Sequence, residues 1–283
     1  MDLFSPLRYP GGKGKLANYI KNVYELNCLD GGYYIEPYAG GSSVALSLLI
    51  NEYALRVYIN DIDRSIYAFW YSILNYTDDF CRLLTDTKTT INEWRKQKDI
   101  QKRKDTASLL ELGFSTFYLN RTNRSGILTG GVIGGLQQNG NYKMDARYNK
   151  KNLLERIKRI ALFNNRISLY NLDGCAFVRQ ISPSLPRKSL LYFDPPYYVK
   201  GKALYQNFFQ HKDHADVANL VSSIRNNYWI VSYDSISEIK QLYNGFRSLE
   251  YKLDYCAAGH SRGNEVMFFS DAVTVPKISN PLL

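Results

Sequence analysis

Close-set cysteines, metal-spaced histidines and long apolar runs are all missing from this chain. Its four cysteines, Cys28, Cys81, Cys175 and Cys256, lie far apart with no C-x-x-C pair, which argues against both a zinc site and a disulfide framework. Reduced, mostly buried thiols are expected instead. Three histidines, His211, His214 and His260, form no H-E-x-x-H or related spacing, so no bound metal is expected. No stretch approaches the ~18 apolar residues that a membrane-spanning helix needs. The start Met-Asp-Leu-Phe-Ser-Pro has no signal-peptide character, so a cytoplasmic protein with no membrane partner is the expectation. Acidic residues are in deficit too: 26 Asp and Glu face 36 Lys and Arg, for a net charge of +10. That surplus suits a polyanionic partner, although basic proteins without one are common. Tyrosine is plentiful, with 24 residues, and it can pack on one side while bonding or stacking on the other.

The length fits one large α/β domain with an insertion, or two small domains. The chain opens on a glycine-rich loop, Tyr9-Pro10-Gly11-Gly12-Lys13-Gly14-Lys15, and a helix is predicted from Leu16 to Glu25. Tyr33 to Glu36 reads as a buried strand running into Pro37-Tyr38-Ala39-Gly40-Gly41-Ser42 and an apolar helix, Val44 to Ile50. Arg56 to Asp61 is a second strand ending in an acid, about 20 residues past the glycines, where a ribose-binding carboxylate belongs. From about Tyr71 to Ala161 the pattern is helical and charged, interrupted over Asn120 to Tyr142 by Gly, Asn, Thr and Ser. Strands resume at Ile167 to Tyr170, Leu190 to Phe193, Trp229 to Ser232 and Val266 to Phe269, with helices at Asp213 to Arg225 and Ser235 to Tyr243. The simplest organisation is one α/β domain in two sequence pieces with a helical insertion after the second strand.

The charge is uneven. Between Lys143 and Lys188 stand eleven Lys and Arg against three acids, a surplus of eight. On the helix near Asn152 to Phe163, Leu153, Ile157 and Ile160 share one face, which leaves Lys151, Arg156, Lys158 and Arg159 to the others. A plain solvated face and a phosphate-contacting surface both fit.

The sharpest chemistry lies in Leu191-Tyr192-Phe193-Asp194-Pro195-Pro196-Tyr197. A buried strand delivers an acid at its carboxyl end, where open α/β sheets bind ligands. Two prolines stiffen the turn and remove two N–H donors, which leaves carbonyls free to accept. An exocyclic amino group offers two hydrogens, matching one carboxylate oxygen and one proline carbonyl, while Tyr197 can stack on the ring. A strand followed by a merely rigid turn is the plainer alternative.

Together, Asp194-Pro195-Pro196-Tyr197, the upstream Glu36-Pro37-Tyr38-Ala39-Gly40-Gly41-Ser42 turn and the Arg8-Tyr9-Pro10-Gly11-Gly12-Lys13 start make the chain resemble the Dam-like alpha class of adenine-N6 DNA methyltransferases, over nearly its whole length. The resemblance implies a Rossmann-like α/β sheet with helices on both faces (residues 1–70 and 162–283). A mainly helical target-recognition insertion with a loop or hairpin would occupy residues 71–161. It implies S-adenosylmethionine as methyl donor, contacted by Tyr9 and Lys13, by Glu36, Tyr38 and Gly40, by Asp61 at the ribose, and by Asp173 and Asp194. Lys13 could instead meet DNA phosphate or stay a loop lysine. Asp61 and Asp173 could instead cap helices. Ser42 stands where the family pattern has a second glycine. Asn120, Arg121, Asn123, Arg124 and Ser125 match the target-recognition segment, with Asn123, Arg124 and Ser125 as base readers, unless these polar groups bond their own backbone. Lys158 and Arg159 would contact phosphate. Ser261-Arg262-Gly263-Asn264-Glu265 would border the base pocket.

The implied reaction is direct methyl transfer to the N6 amino group of an adenine flipped out of double-stranded DNA. Asp194 and the Pro195 carbonyl would accept the two amino hydrogens. The resemblance allows a cognate restriction endonuclease as partner, in a bacterial, phage or archaeal host, and a monomer acting on the duplex. The alternatives are an RNA adenine or cytosine-N4 methyltransferase, a non-catalytic DNA-binding protein that keeps the fold, and a nicotinamide-dependent dehydrogenase. The last explains neither the basic insertion nor Asp194 to Tyr197.

Overall fold

The computed structural model describes residues 4–8, 13–198, 209–255, 261–278 and 280–282. Its contacts divide the chain into two compact units: residues 13–61 with 166–283, and residues 1–12 with 62–165. No helix among the described residues is long and apolar enough to cross a membrane.

The first unit is built on seven strands, β1 (Gly32–Glu36), β2 (Ala54–Asn60), β3 (Ile167–Tyr170), β4 (Ser189–Phe193), β5 (Tyr228–Asp234), β6 (Arg247–Tyr255) and β7 (Ser261–Phe269). They lie in the order β3-β2-β1-β4-β5-β7-β6. The first five are parallel, and β7 is antiparallel to both β5 and β6. Parallel strands must be covered on both faces, and β4 is accordingly buried at every position. Covering helices are α1 (Ala17–Leu26), α2 (Ser43–Ile50) and α8 (Gly174–Ile181), with α9 (His211–Ser223) and α10 (Ser237–Leu242) further along the chain. Ile35, Leu191, Phe193, Trp229 and Val231 of the sheet pack with Phe177, Val178, Val217 and Val221 of α8 and α9 in one core. The strand order reverses between β1 and β4, which pair in parallel from Tyr33↔Ser189 to Ile35↔Leu191. That reversal makes a crevice at the carboxyl ends of these two strands, the usual ligand position of a doubly wound sheet. The Rossmann-like fold expected from the sequence is therefore the fold observed.

Strand β6 is absent from the sequence reading, and β7 begins five residues before the expected Val266. The reason is visible in β6, where Leu249 and Tyr251 alternate with exposed Ser248, Glu250 and Lys252 after an exposed Arg247. A sheet-edge strand of this kind carries charge that masks it in sequence.

The second unit comprises α3 (Arg64–Asn75), α4 (Thr77–Asp86), α5 (Ile91–Lys102), α6 (Leu109–Thr122) and α7 (Lys150–Ala161). Side-chain caps start most of them: Asp63, Thr90, Ser108 and Asn149 each accept a backbone N–H of the first turn. Helix α6 is buried almost all round, and Phe117 meets Phe69 and Phe80 in an aromatic core. Gly113 permits the closest approach, since a Cβ there would lie 2.4 Å from the Ala68 carbonyl oxygen of α3. Helix α7 buries Leu153, Ile157 and Ile160, the face that its spacing predicted. Its boundaries put residues 62–70 with the helices. They put residues 1–12 there too, because α6 and α7 hold residues 4–8: Asn120 bonds both the N–H and the carbonyl of Arg8, and Arg156 bonds the Ser5 carbonyl.

Candidate active site

Strand β4 ends in the sheet interior, so the next residue emerges at the crevice. Asp194 is half-buried there while Pro195 and Tyr197 are buried. Its Oδ1 accepts a hydrogen bond from the Ser232 hydroxyl at 3.0 Å, and Ser232 pairs with the Tyr192 hydroxyl at 2.9 Å. Two buried hydroxyls from β4 and β5 thus aim the carboxylate. The turn that follows is clamped by acids of the neighbouring strands. The Tyr198 N–H donates to Asp234 Oδ1 at 3.0 Å. The Tyr197 hydroxyl donates to Glu265 Oε1 at 2.6 Å, and Tyr251 donates to the other Glu265 oxygen at 2.7 Å. Glu265 is fully buried, and Tyr197 is only 2% exposed. Stacking of a base on this ring, as expected from the sequence, would require the residues covering it to part.

Across the crevice, β1 ends in Glu36. The Ala45 N–H of α2 donates to Glu36 Oε1 at 3.2 Å. Glu36 Oε2 lies buried beside the Tyr34 and Ser42 hydroxyls, and none of the three completes a hydrogen bond of full geometry. Burial pushes the Glu36 carboxyl up to about 8, with the nearby Asp194 charge adding to the rise. The Ala45 N–H and the adjacent Tyr34 and Ser42 hydroxyls oppose the shift. A buried carboxylate with an unused oxygen, flanked by two hydroxyls with spare capacity, is the surrounding that a cationic ligand group satisfies.

The glycine-rich turn accounts for Ser42. Gly40 has φ +47° and Ser42 φ +44°, both left-handed. Glycine adopts this conformation freely, whereas a serine gives up roughly 1 kcal/mol. The departure from the family pattern therefore sits at the amino-terminal cap of α2, where Ser42 is buried. The Gly40 N–H donates to Asp61 Oδ2 at 2.9 Å, tying the turn to the end of β2. Capping of α3 falls to Asp63 rather than Asp61, which settles that alternative. Asp173 does cap α8, through the Ala176 N–H at 2.9 Å. It also lines a shallow pocket with Cys175, Arg179, Phe209 and Asp213. Tyr38 lies over Gly174, where a Cβ would come within 2.6 Å of its ring. Tyr9 lies outside the described residues, and so does the side chain of Lys13, whose backbone opens a short 3-10 turn. Among the described residues no cluster of three His, Cys, Asp or Glu could hold a metal.

The helical unit corrects part of the expected recognition segment. Asn120 and Arg121 belong to the last turn of α6 rather than to a loop. Asn120 is 2% exposed, and its amide serves Arg8 and the Gly126 carbonyl. Asn123, fully buried, accepts from the Trp94 indole at 2.7 Å and donates to the Ile127 and Leu128 carbonyls. Both N–H groups of each amide are used and each side chain is buried, so Asn123 is withdrawn as a base reader and Asn120 as a DNA contact. Ser125 is left-handed and half-buried, while Arg124 is exposed, with its backbone paired to Gly131 in a small hairpin. Lys158 and Arg159 are exposed on α7, and Arg159 stacks on Phe4 with its guanidinium 4.8 Å from the ring centroid. Sequence reasoning missed Ser232 and Asp234 altogether, and it placed Glu265 only as a border residue. A serine inside the apolar run Trp229 to Tyr233 and an acid directly after it were the available signal.

A family model for D12 class N6 adenine-specific DNA methyltransferases matches residues 9–255. A type II methyltransferase of Methanocaldococcus jannaschii, M.MjaIII, is 22% identical over 204 residues, 68% of this chain and 68% of its own. Among solved structures, Pyrococcus horikoshii PH1948, named as an RNA methyltransferase, aligns over 93% of this chain and 85% of its own at 11% identity, with a TM-score of 0.43. The rRNA methyltransferase AviRa of Streptomyces viridochromogenes aligns over 94% and 88% at 14% identity, with a TM-score of 0.39. At those scores the structural likenesses bear on neither substrate nor mechanism. The match across most of the sequence is decisive: this chain belongs to the D12 class of N6 adenine-specific DNA methyltransferases.

Proposed function

We propose that this methyltransferase acts on the N6 amino group of an adenine flipped out of double-stranded DNA. The observation that carries the reading is the half-buried Asp194 carboxylate, aimed by Ser232 and Tyr192 at the crevice where the strand order reverses. Family and fold imply S-adenosylmethionine as the donor. When bound, it supplies an electrophilic methyl group on a positively charged sulfur. Glu36, with its unpaired oxygen and the two flanking hydroxyls, is the side chain suited to that positive charge. Asp61 and Gly40 shape the turn beside it, and Tyr38, Asp173, Tyr9 and Lys13 remain candidates for the rest of the donor.

Adenine N6 is a weak nucleophile because its lone pair is delocalised into the ring. Asp194 and the Pro195 carbonyl accept its two hydrogens and favour a more tetrahedral nitrogen. Attack then forms the N–CH3 bond as the S–CH3 bond breaks, and one amino proton leaves to water or, transiently, to Asp194. The residues contribute orientation and electrostatics, with no covalent enzyme intermediate. Pro196 stiffens the turn, and Glu265 holds Tyr197 beside the incoming base. Flipping the base costs a few kcal/mol. Arg124 and Ser125 stand as the base readers, with Lys158 and Arg159 on phosphate. A competition assay with tritiated methyl donor, duplex DNA and structured RNA tests the substrate: label is expected in duplex DNA as N6-methyladenine. Label in RNA alone would overturn the reading.

A further inference from the structure

Four arginines of the helical unit converge on residues 5–8. Arg121, at the end of α6, donates Nε to the Arg147 carbonyl at 2.7 Å and a terminal nitrogen to the Pro6 carbonyl at 3.4 Å. Arg156, on α7, donates to the Ser5 carbonyl at 3.0 Å. Arg8 is fixed through its backbone by Asn120, at 2.7 Å in both directions. These bonds bring the backbones of residues 5–8 and 147 together with the guanidiniums of Arg121 and Arg156, so that four arginines stand close in one place.

These charges oppose each other. Burial and then Arg8, Arg156 and Arg147 lower the Arg121 proton affinity to about 10. Arg8 is lowered by burial and by Arg147. None of the four forms an ion pair with a carboxylate among the described residues. Among the described residues the Arg8 and Arg147 guanidiniums donate no side-chain hydrogen bond, and Arg147 is exposed. A guanidinium carries five N–H donors in a planar fork that suits a phosphate. Gathered like charges with unused forks and no counter-charge call for an external anion. On α7, exposed Lys158 and Arg159 extend the positive surface beyond Arg156.

We propose that Arg8, Arg121, Arg147 and Arg156 form a binding site for a backbone phosphate of the target duplex. The proposal rests on the duplex-DNA reading and gives Arg121 of the recognition segment a phosphate role. The plainer alternative is that the arginines only pin residues 4–8 to the helices. Arg147 separates the two, because its exposed side chain makes no bond among the described residues.

The test measures duplex affinity against salt for the full chain and for Arg147→Gln, Arg8→Gln and Arg147→Lys. At about 0.1 M salt each glutamine variant is expected to bind roughly fivefold more weakly, with the log–log salt slope reduced by about one. The loss should be equal on target and unrelated sequences, as phosphate contacts carry no sequence information. Arg147→Lys should recover most of it, and thermal stability and S-adenosylmethionine binding should stay as in the unaltered chain. Unchanged affinity and slope in both glutamine variants would overturn the proposal while leaving the duplex reading intact. An Arg147-dependent thermal shift with inorganic phosphate but unchanged duplex affinity would assign the site to a free anion and equally overturn it. An unaltered chain that fails to bind duplex DNA would overturn both readings.

Discussion

Two stretches of this chain place polar residues just after an apolar element, and the structure treats them oppositely. After β4, Asp194 accepts from the Ser232 hydroxyl, itself held by the Tyr192 hydroxyl, which orients its carboxylate at a crevice and leaves it half-exposed. After the buried body of α6, Asn120 and Asn123 are consumed by backbone groups of Arg8, Gly126, Ile127 and Leu128 and by the Trp94 indole. The ending elements explain the contrast. A helix leaves its last carbonyls and the following turn without partners, and short amides are the cheapest internal supply. A strand in a parallel sheet has its ladder completed by neighbours, so its next residue is not needed to satisfy the strand's own backbone. Polar residues after a buried helix are thus weaker functional signals than polar residues after a buried strand.

Substitutions can break this contrast. Asp194→Ala should lower methyl transfer on the order of a thousandfold, roughly 4 kcal/mol of barrier, with donor binding retained by titration calorimetry. Full activity in that variant would remove the catalytic assignment. Asn123→Ala should act on folding instead, destabilising the chain by about 2–3 kcal/mol because buried partners lose their bonds. Thermal melting checks this, and an unchanged midpoint with altered sequence preference would restore Asn123 as a reader. Arg124→Ala should leave the melting midpoint alone and relax discrimination between target and near-target sites by about 1–2 kcal/mol. If preference and turnover both persist, the hairpin does not read bases.

A further expected effect is pH-dependent. The Glu36 carboxyl is raised from 4.5 to about 8, so the folded chain keeps a proton there that the unfolded chain releases in that window. Its contribution to stability is present at low pH and falls as pH rises through the window. Melts without donor at about pH 6 and about pH 8.5 should show that fall in the unaltered chain and less of it in Glu36→Gln. An identical slope in both would mean that another group sets it.

Much of the crevice was legible because its signals are local. The run from Tyr33 through the glycine turn to Asp61 and the apolar strand before Asp194 each carry their pattern within a few residues. Ser42 was visible as an oddity, although only the backbone reveals its left-handed cap. What was hidden depends on distant pairs. Asn120 and Arg8 are 112 positions apart, and their bond moves the amino-terminal residues into the helical unit. Tyr197 and Glu265 are 68 apart, and only their pairing reveals that the tyrosine is clamped. Strand β6 was masked by its own edge charges.

Modified-base sequencing of DNA from a methylation-free host, expressing either this chain or its Asp194→Ala variant, bears most directly on the reaction. The expected result is N6-methyladenine at one sequence motif with the unaltered chain and none with Asp194→Ala. Modified cytosine, no modified base, or N6-methyladenine that persists in the variant would contradict adenine methylation of duplex DNA through Asp194.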